Sequence, residues 1–286
     1  MGCLSHCRHI KRKGDKTMHR YEIINALERQ GYQAKKHDVV KNGVTFKGII
    51  LNTGTSICPV IYPDHLLEAS DTPDDAADKV IAIYEAYKDT PMDVDILTSK
   101  DWILEHLSIA IQRSSDEKLV KKPTEFDGIE QYLILIYDAA SDSFSIKVTP
   151  EMLKNAGIPE SDAWTIAMIH LVNSIRIVSL KHMLSDLFFQ TFGDPDDVER
   201  EIYIVTTTHR TKGASAILCR EPLKEFALKH NTNRLLMLPS SIHETLVVPY
   251  NLGVDIEQFS SMVKEINEAQ VLPEEQLSDR AYIINV

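Results

Sequence analysis

The sequence has few cysteines, no long apolar run and no glycine-rich loop. Of its four cysteines only Cys58 and Cys219 lie beyond residue 7, too few for the disulfide framework of a small secreted protein. No apolar run approaches the roughly 20 residues that a membrane-spanning helix requires. The glycines are isolated and form neither the dinucleotide-binding pattern nor the P-loop. We therefore expect a cytoplasmic protein that has no membrane partner and no cofactor.

Positive charge is also scarce. The chain has 31 Lys and Arg residues against 42 Asp and Glu residues, which gives a net charge of -11 at pH 7. An acidic surface repels the phosphate backbone of nucleic acids and the headgroups of anionic lipids. The sequence therefore predicts no nucleic-acid partner, although basic residues cluster at positions 8–16.

The N-terminal residues 1–18 lack the apolar periodicity that begins at Tyr21. We expect a disordered tail, or a segment that precedes the true start at Met18. Four side chains in this tail are potential soft metal ligands, namely Cys3, His6, Cys7 and His9. Zinc sites usually take ligand pairs from two separate segments, and the sequence has no second pair. We therefore predict no metal site in the tail.

The order of the predicted elements favours an α+β fold. With 286 residues, of which 43% are hydrophobic, the chain is long enough for one large core or two lobes. Strand hairpins are interrupted by helices without the regular alternation of nucleotide-binding folds. We predict antiparallel or mixed sheets with flanking helices in two lobes, residues 19–113 and 129–286. Residues 114–128 are polar and contain Pro123 and Gly128, which is typical of a linker between lobes.

Capping residues and periodicity predict individual elements. A helix at 20–30 ends at Gly31, and Thr72 caps a second helix that follows a meander of strands at 34–40, 44–51 and 56–62. The remaining pattern predicts helices at 102–112, 159–187, 221–229 and 256–270, and strands at 131–137, 144–148, 201–207, 214–219, 234–238, 245–248 and 281–284.

Polar chemistry is concentrated in the segment LLMLPSSIHETLVV, residues 235–248. Here Ser240 or Ser241 on a turn beside His243, with Asp279 or Glu244 to orient the imidazole, would supply the residue types of a serine hydrolase. No glycine-flanked nucleophile elbow accompanies them. The alternative is architectural: the serine hydroxyls cap the turn, and His243 bonds a neighbouring strand.

A metal site is not predicted in this segment. Metalloprotease signatures place a second histidine one helical turn after the first, and that position is Val247, in a run that resembles a strand. The acidic residues at 265–279 lack the spacing of a calcium loop. Pro273 followed by Glu274 is typical of a helix start with carboxylates at its positive end.

Three stretches of the second half carry a resemblance to a known family. They are IYIVTTTHRTKGASAILCREPLKEFA, LLMLPSSIHETLVVP and MVKEINEAQVLPEEQLSD. They resemble a family of domain-sized proteins from Gram-positive gut anaerobes that is classed only as a domain of unknown function. The resemblance extends from Met18 to the C-terminus and implies no activity. Recurring positions of the family correspond here to Gly213, Leu218, Pro239, Ser240, Ser241, His243, Glu244, Asn267, Glu274, Glu275, Ser278 and Asp279.

These patterns lead to two functional hypotheses. The first is a non-enzymatic binding or regulatory protein that recognises a protein or a small-molecule ligand over the surface formed by residues 239–244 and 267–279. Its binding residues would be Ser240, Ser241, His243, Glu244 and Asn267, together with Arg210 and Lys212 of a basic turn that suits an anionic ligand. The alternative is a hydrolase whose catalytic residues are Ser240 or Ser241, His243 and Asp279.

Overall fold

The computed structural model of the chain describes residues 18–51, 59–88, 94–139, 142–180, 202–209, 211–250 and 255–286. The predicted tail lies outside the described residues except for Met18, and so do the four potential metal ligands within it. Contacts between residues divide the chain into two compact units. The first ends at Met92, and the second runs from Asp93 to Val286 and includes the turn Asn42–Val44.

The first unit combines helices with a strand hairpin. Its elements are α1 (Arg20–Arg29), β1 (Ala34–Lys41), β2 (Val44–Leu51) and α2 (Pro73–Tyr87). β1 and β2 pair in a two-stranded sheet, and Ile61 forms an antiparallel bridge to Ile49. The predicted strands at 34–40 and 44–51 are confirmed, whereas the predicted strand at 56–62 is described only from residue 59.

Local capping explains where α2 begins. The Thr72 hydroxyl accepts a hydrogen bond from the Asp75 N–H at 3.3 Å, and the Asp75 carboxylate accepts one from the Thr72 N–H at 2.9 Å. This reciprocal capping box satisfies two amides that a helix start otherwise leaves open. The helix then buries Val80 and Tyr84 in a core shared with Leu27 of α1. The helix start that Thr72 predicts is therefore confirmed.

One sheet of the second unit carries helices on its buried face. Its elements are α3 (Lys100–His106), β3 (Leu107–Arg113), β4 (Lys121–Pro123), β5 (Ile129–Ala139), β6 (Asp142–Lys147), α4 (Pro150–Asn155) and α5 (Glu160–Ser174). The strand order is β3-β5-β4, with β6 also paired to β5, and every pair is antiparallel. Leu171 of α5 packs on Leu107 and Leu133, which makes this face a helix-covered core.

The other sheet of the second unit has helices on both faces. Its elements are β7 (Ile175–Ser179), β8 (Tyr203–Thr207), the 3-10 helix Gly213–Leu218, α6 (Arg220–Lys229), β9 (Arg234–Leu238), β10 (Thr245–Pro249), α7 (Ile256–Gln270) and β11 (Tyr282–Asn285). The strands run antiparallel in the order β11-β9-β10-β8-β7. Leu223 of α6 packs on Leu235, whereas Val263 of α7 packs on Leu236 on the opposite face. The described elements thus form an α+β protein, as predicted.

Residues 114–128, predicted as a linker between lobes, lie inside the second unit. Lys121 of β4 pairs with Tyr132 of β5, and Val120 and Phe126 are buried. The chain divides at Met92 rather than at residue 113. Asp116, Lys118 and Asp127 of this stretch are exposed, whereas Ser115 and Lys121 enter a buried network.

That network centres on the carboxylate of Glu130, whose side chain is 9% exposed. It accepts hydrogen bonds from Gln112 Nε2 at 2.8 Å, from Ser115 Oγ at 2.8 Å and from Lys121 Nζ at 3.0 Å. Burial raises the pKa of Glu130, but these three donors together hold that pKa below its ordinary value. The carboxylate is therefore charged and paired in the fold.

Three predicted elements are corrected by the structure. The helix at 102–112 ends at His106, and β3 begins at Leu107 without a connecting loop. The helix at 159–187 ends at Ser174 and continues directly as β7, while residues 181–187 lie outside the described part. Residues 213–218 form a 3-10 helix where a strand is predicted at 214–219. In the first two cases pairing with a neighbouring strand overrides the helical periodicity.

Within the described ranges, the helices are too short or too polar to cross a lipid bilayer.

Candidate functional site

The turn before the 3-10 helix Gly213–Leu218 positions one side of the candidate site. Lys212 has a left-handed backbone, with φ of 54°. Gly213 then passes so close to the strands that a Cβ atom there would overlap Thr206 Oγ1 and lie 2.7 Å from Thr207 N and 2.8 Å from His243 O. Only glycine allows this approach. It brings the backbone of Lys212 against the bend between β9 and β10.

His243 lies in that bend and joins two other segments. Its Nδ1 atom accepts a hydrogen bond from the Lys212 N–H at 3.2 Å. Its Nε2 atom lies 3.5 Å from Glu275 Oε1. Because Nδ1 is the acceptor, the neutral ring carries its hydrogen on Nε2 and directs it to the carboxylate. The ring therefore bridges the 3-10 helix entrance and the segment after α7.

The environment of His243 favours the neutral imidazole. Partial burial lowers the pKa of His243 below its ordinary value, the Glu275 carboxylate acts in the opposite direction, and Lys212 lowers the pKa further. Protonation would also place a hydrogen on Nδ1, where the Lys212 N–H already donates. Because the folded pKa is depressed, this contribution to stability is complete above about pH 6.5 and is lost as the pH falls.

We expect His243→Ala to lower the melting temperature at pH 7, because Lys212 and Glu275 each lose a partner whose hydrogen bond contributes about 1 kcal/mol. In His243→Asn the side-chain oxygen replaces Nδ1 as an acceptor but does not titrate, so this variant should retain more stability. Both variants should show a weaker loss of stability between pH 7 and pH 5 than the parent, as measured by thermal unfolding. An alanine variant with the parent's melting temperature and pH dependence would contradict the bridging role.

The two predicted blocks, residues 239–244 and 267–279, meet in the structure. The Ile242 N–H donates to the Glu275 carbonyl at 2.8 Å, and the His243 ring faces the side chain of Glu275. We call these residues the two-block surface. The side chains of His243 and Glu275 are 37% and 34% exposed, so both remain accessible to solvent.

Asn267 is buried beneath this surface. Its Nδ2 atom donates to the Ser278 carbonyl at 3.0 Å and to Asp279 Oδ1 at 2.8 Å. The Gln276 side chain in turn donates to the Asn267 carbonyl at 2.9 Å. At 2% exposure, Asn267 holds the segment after α7 in place instead of presenting its amide to a ligand.

The serines do not contact the imidazole nitrogens in the described contacts. Ser241 Oγ accepts from the backbone N–H of His243 at 3.1 Å, which is the turn-capping arrangement. Ser240 is partly exposed, and Asp279 accepts from Asn267 rather than orienting the ring. The hydrolase hypothesis stays a prediction, and these contacts give it no support.

The basic turn is described only in part. Lys212 contributes its backbone N–H to His243, whereas Arg210 lies outside the described residues. In the part of the chain that the structure covers, no group of three or more His, Cys, Asp or Glu side chains is placed to hold a metal ion.

A pocket of about 320 Å³ lies elsewhere in the second unit and was missed by the sequence analysis. It opens beside the junction of α3 and β3. Its polar lining includes Glu105, His106, Ser108, Tyr137, His170 and His209. These residues are far apart in sequence and match no spaced motif. The only sequence signal is that His106 lies at the end of an aromatic-containing helix, which does not indicate a pocket.

Comparison with known proteins gives one family and no closer relative. Residues 16–285 match DUF5688, a family of unknown function. No curated protein and no solved structure matches the chain. The predicted origin of the relatives in Gram-positive gut anaerobes stays a prediction.

Proposed function

Because the chain belongs to DUF5688, a family whose function is unknown, we propose its function from the site: a cytoplasmic, non-enzymatic binding or regulatory protein that recognises a protein or small ligand over the two-block surface. The observation that carries this proposal is the contact between the two blocks. The Ile242–Glu275 hydrogen bond and the facing side chains of His243 and Glu275 form one continuous surface from segments distant in sequence.

Pre-organisation supports recognition at this surface. The His243 backbone is held by its bond to Ser241, and its ring is held between Lys212 and Glu275. Side chains that are already ordered lose little conformational entropy when a partner binds. The two-block surface therefore offers polar groups in a fixed geometry while leaving about a third of each key side chain exposed.

The charge of the two blocks indicates the partner. Neither residues 239–244 nor residues 267–279 contain Lys or Arg, whereas their acidic residues are Glu244, Glu268, Glu274, Glu275 and Asp279. A surface of one sign attracts a partner of the other sign and repels like charge. Lys212 lies beside His243 and is one cation near this surface, but the five carboxylates outnumber it. The ligand or protein face that binds here is therefore basic rather than anionic, and its association should weaken as salt is raised.

The test is native purification from the host followed by mass spectrometry, with matched variants. The parent and a control double variant, Glu221→Gln with Glu225→Gln on the exposed face of α6, should retain the same bound partner. The double variant Glu244→Gln with Glu275→Gln should retain at least about tenfold less of the partner, because two charged contacts of about 1 kcal/mol each are removed. Thermal unfolding of both double variants checks that the fold persists. Equal retention by all three proteins would overturn the proposal.

A further inference from the structure

The pocket beside the α3–β3 junction, which we call the histidine pocket, shares no lining residue with the two-block surface. Two of its histidines are fixed by backbone carbonyls. His106 Nδ1 lies 2.8 Å from the Trp102 carbonyl, and His170 Nδ1 lies 2.8 Å from the Leu107 carbonyl. A carbonyl oxygen only accepts hydrogen bonds, so Nδ1 carries the hydrogen in both rings.

The tautomer of these rings determines whether the pocket presents hydrogen-bond donors or acceptors. In a neutral imidazole with hydrogen on Nδ1, the Nε2 atom is a hydrogen-bond acceptor with an exposed lone pair. The described contacts of His106 and His170 assign no protein donor to either Nε2 atom. Among the described residues, the pocket therefore contains two oriented acceptors to which no protein group donates.

An aromatic wall supports one of these acceptors. The ring of His106 stacks on Trp102 with centroids 4.1 Å apart and planes 19° from parallel. Tyr137 lies 5.6 Å from His106 and 5.8 Å from Trp102. Stacking on Trp102 restricts the rotation of the imidazole, and Tyr137, which lines the pocket, offers an electron-rich ring that attracts cations.

We propose that the histidine pocket binds a small organic cation of the ammonium or guanidinium class. The Nε2 atoms of His106 and His170 would accept its N–H groups, and the carboxylate of Glu105 would balance its charge. None of the described lining residues is Lys or Arg, so the lining lacks the fixed positive charge that an anion requires. The volume of about 320 Å³ matches the lower end of small-molecule pockets, roughly 300 Å³.

Three probes of matched shape test the charge preference: benzylamine, benzyl alcohol and benzoate. Each is titrated into the full chain and followed by ¹⁵N NMR of the imidazole nitrogens. Benzylamine should bind to saturation and shift the ¹⁵N resonances of Nε2 in His106 and His170. Benzyl alcohol should bind at least about tenfold more weakly, because charge-assisted hydrogen bonds are roughly twice as strong as neutral ones. Benzoate that binds as well as benzylamine, or the absence of saturation by benzylamine, would overturn the proposal.

Variants connect the binding to named atoms. His106→Phe keeps a ring on Trp102 but removes the Nε2 acceptor, and Glu105→Gln removes an exposed charge from the same helix. Each variant should bind benzylamine with about tenfold lower affinity than the parent. Asp101→Asn is the matched control, because Asp101 is exposed on α3 and does not line the pocket. Equal weakening by the control, or NMR spectra with the hydrogen on Nε2 in the free protein, would also overturn the assignment.

Discussion

Gly213→Ala is expected to lower the free energy of unfolding by about 3 kcal/mol, at the upper end of overpacking effects. The added methyl group would lie 2.7 Å from Thr207 N and 2.8 Å from His243 O, closer than carbon approaches these atoms in proteins. Thr207 N belongs to the paired strand β8, and His243 O lies in the bend before β10, where it accepts a hydrogen bond from the Thr206 hydroxyl, so neither atom moves without disturbing its neighbours. The 3-10 helix must then withdraw from the strands, and the Lys212 N–H loses its acceptor on His243.

Gly157→Ala provides the control for this prediction. Gly157 has φ of 65° but no atom near the position of a Cβ, so the substitution introduces backbone strain of about 1 kcal/mol without a clash. Chemical denaturation of both variants in the same buffer separates the two effects. If Gly213→Ala is no more destabilising than Gly157→Ala, the close approach of the 3-10 helix does not exist in solution.

Glu130→Ala should destabilise the second unit by about 3 kcal/mol. Removing the carboxylate leaves the buried amide of Gln112 and the ammonium of Lys121 without their common acceptor. The loss should be partly recovered in the double variant Glu130→Leu with Lys121→Leu, because an apolar pair of similar volume replaces a buried ion pair at little cost. Urea denaturation of the parent, the single variants Glu130→Leu and Lys121→Leu and the double variant gives the coupling energy directly.

The pH dependence gives an independent measurement on the same group. Because the folded pKa of Glu130 is depressed, its contribution to stability is present above the unfolded value of about 4.3 and is lost as the pH falls through the lower folded pKa. The parent should therefore lose stability more steeply than Glu130→Gln on acidification below about pH 4.3. Parallel acid unfolding curves for the two proteins would show that the carboxylate is not paired.

The elements that the sequence predicts correctly are those with local determinants. Thr72 caps α2 through contacts with Asp75 three residues away, so the helix start is visible in a short window. Gly31, with φ of 89°, follows α1 in the same way. The strand β7 is not predicted because Ile175 and Val178 continue the helical spacing of Ala163, Ala167 and Leu171 in α5. These residues form a strand only through pairing with β8.

The polar stretch at 114–128 shows a second reason for failure. A polar composition is common to a solvated linker and to a folded segment whose side chains are mostly exposed, as they are at Asp116 and Lys118. Here Ser115 and Lys121 contact the buried Glu130, which lies on the next strand of the sheet. Burial of paired charges has no local signature, because the partner that satisfies each group comes from another element.

The structure brings residues 239–244 and 267–279 into contact, because the Ile242 N–H bonds to the Glu275 carbonyl. Their role as a binding site stays a prediction. The pairing of His243 with Glu275 was missed, since nothing in the spacing distinguishes Glu275 from its acidic neighbours. Sequence spacing also could not reveal the histidine pocket, because His106, His170 and His209 belong to α3, to α5 and to the segment after β8, and they meet only in the folded chain.

The direct continuation of α3 into β3 and of α5 into β7 has a mechanical consequence. Where a helix enters a strand without intervening residues, a rotation of the helix must change the backbone dihedral angles of the junction itself, next to residues that are paired in the sheet. The hydrogen bond between His170 of α5 and the Leu107 carbonyl connects α5 to the junction of α3 with β3. We therefore expect the pocket that they border to keep its shape when a ligand binds, so that the association rate is set by diffusion and not by an opening step.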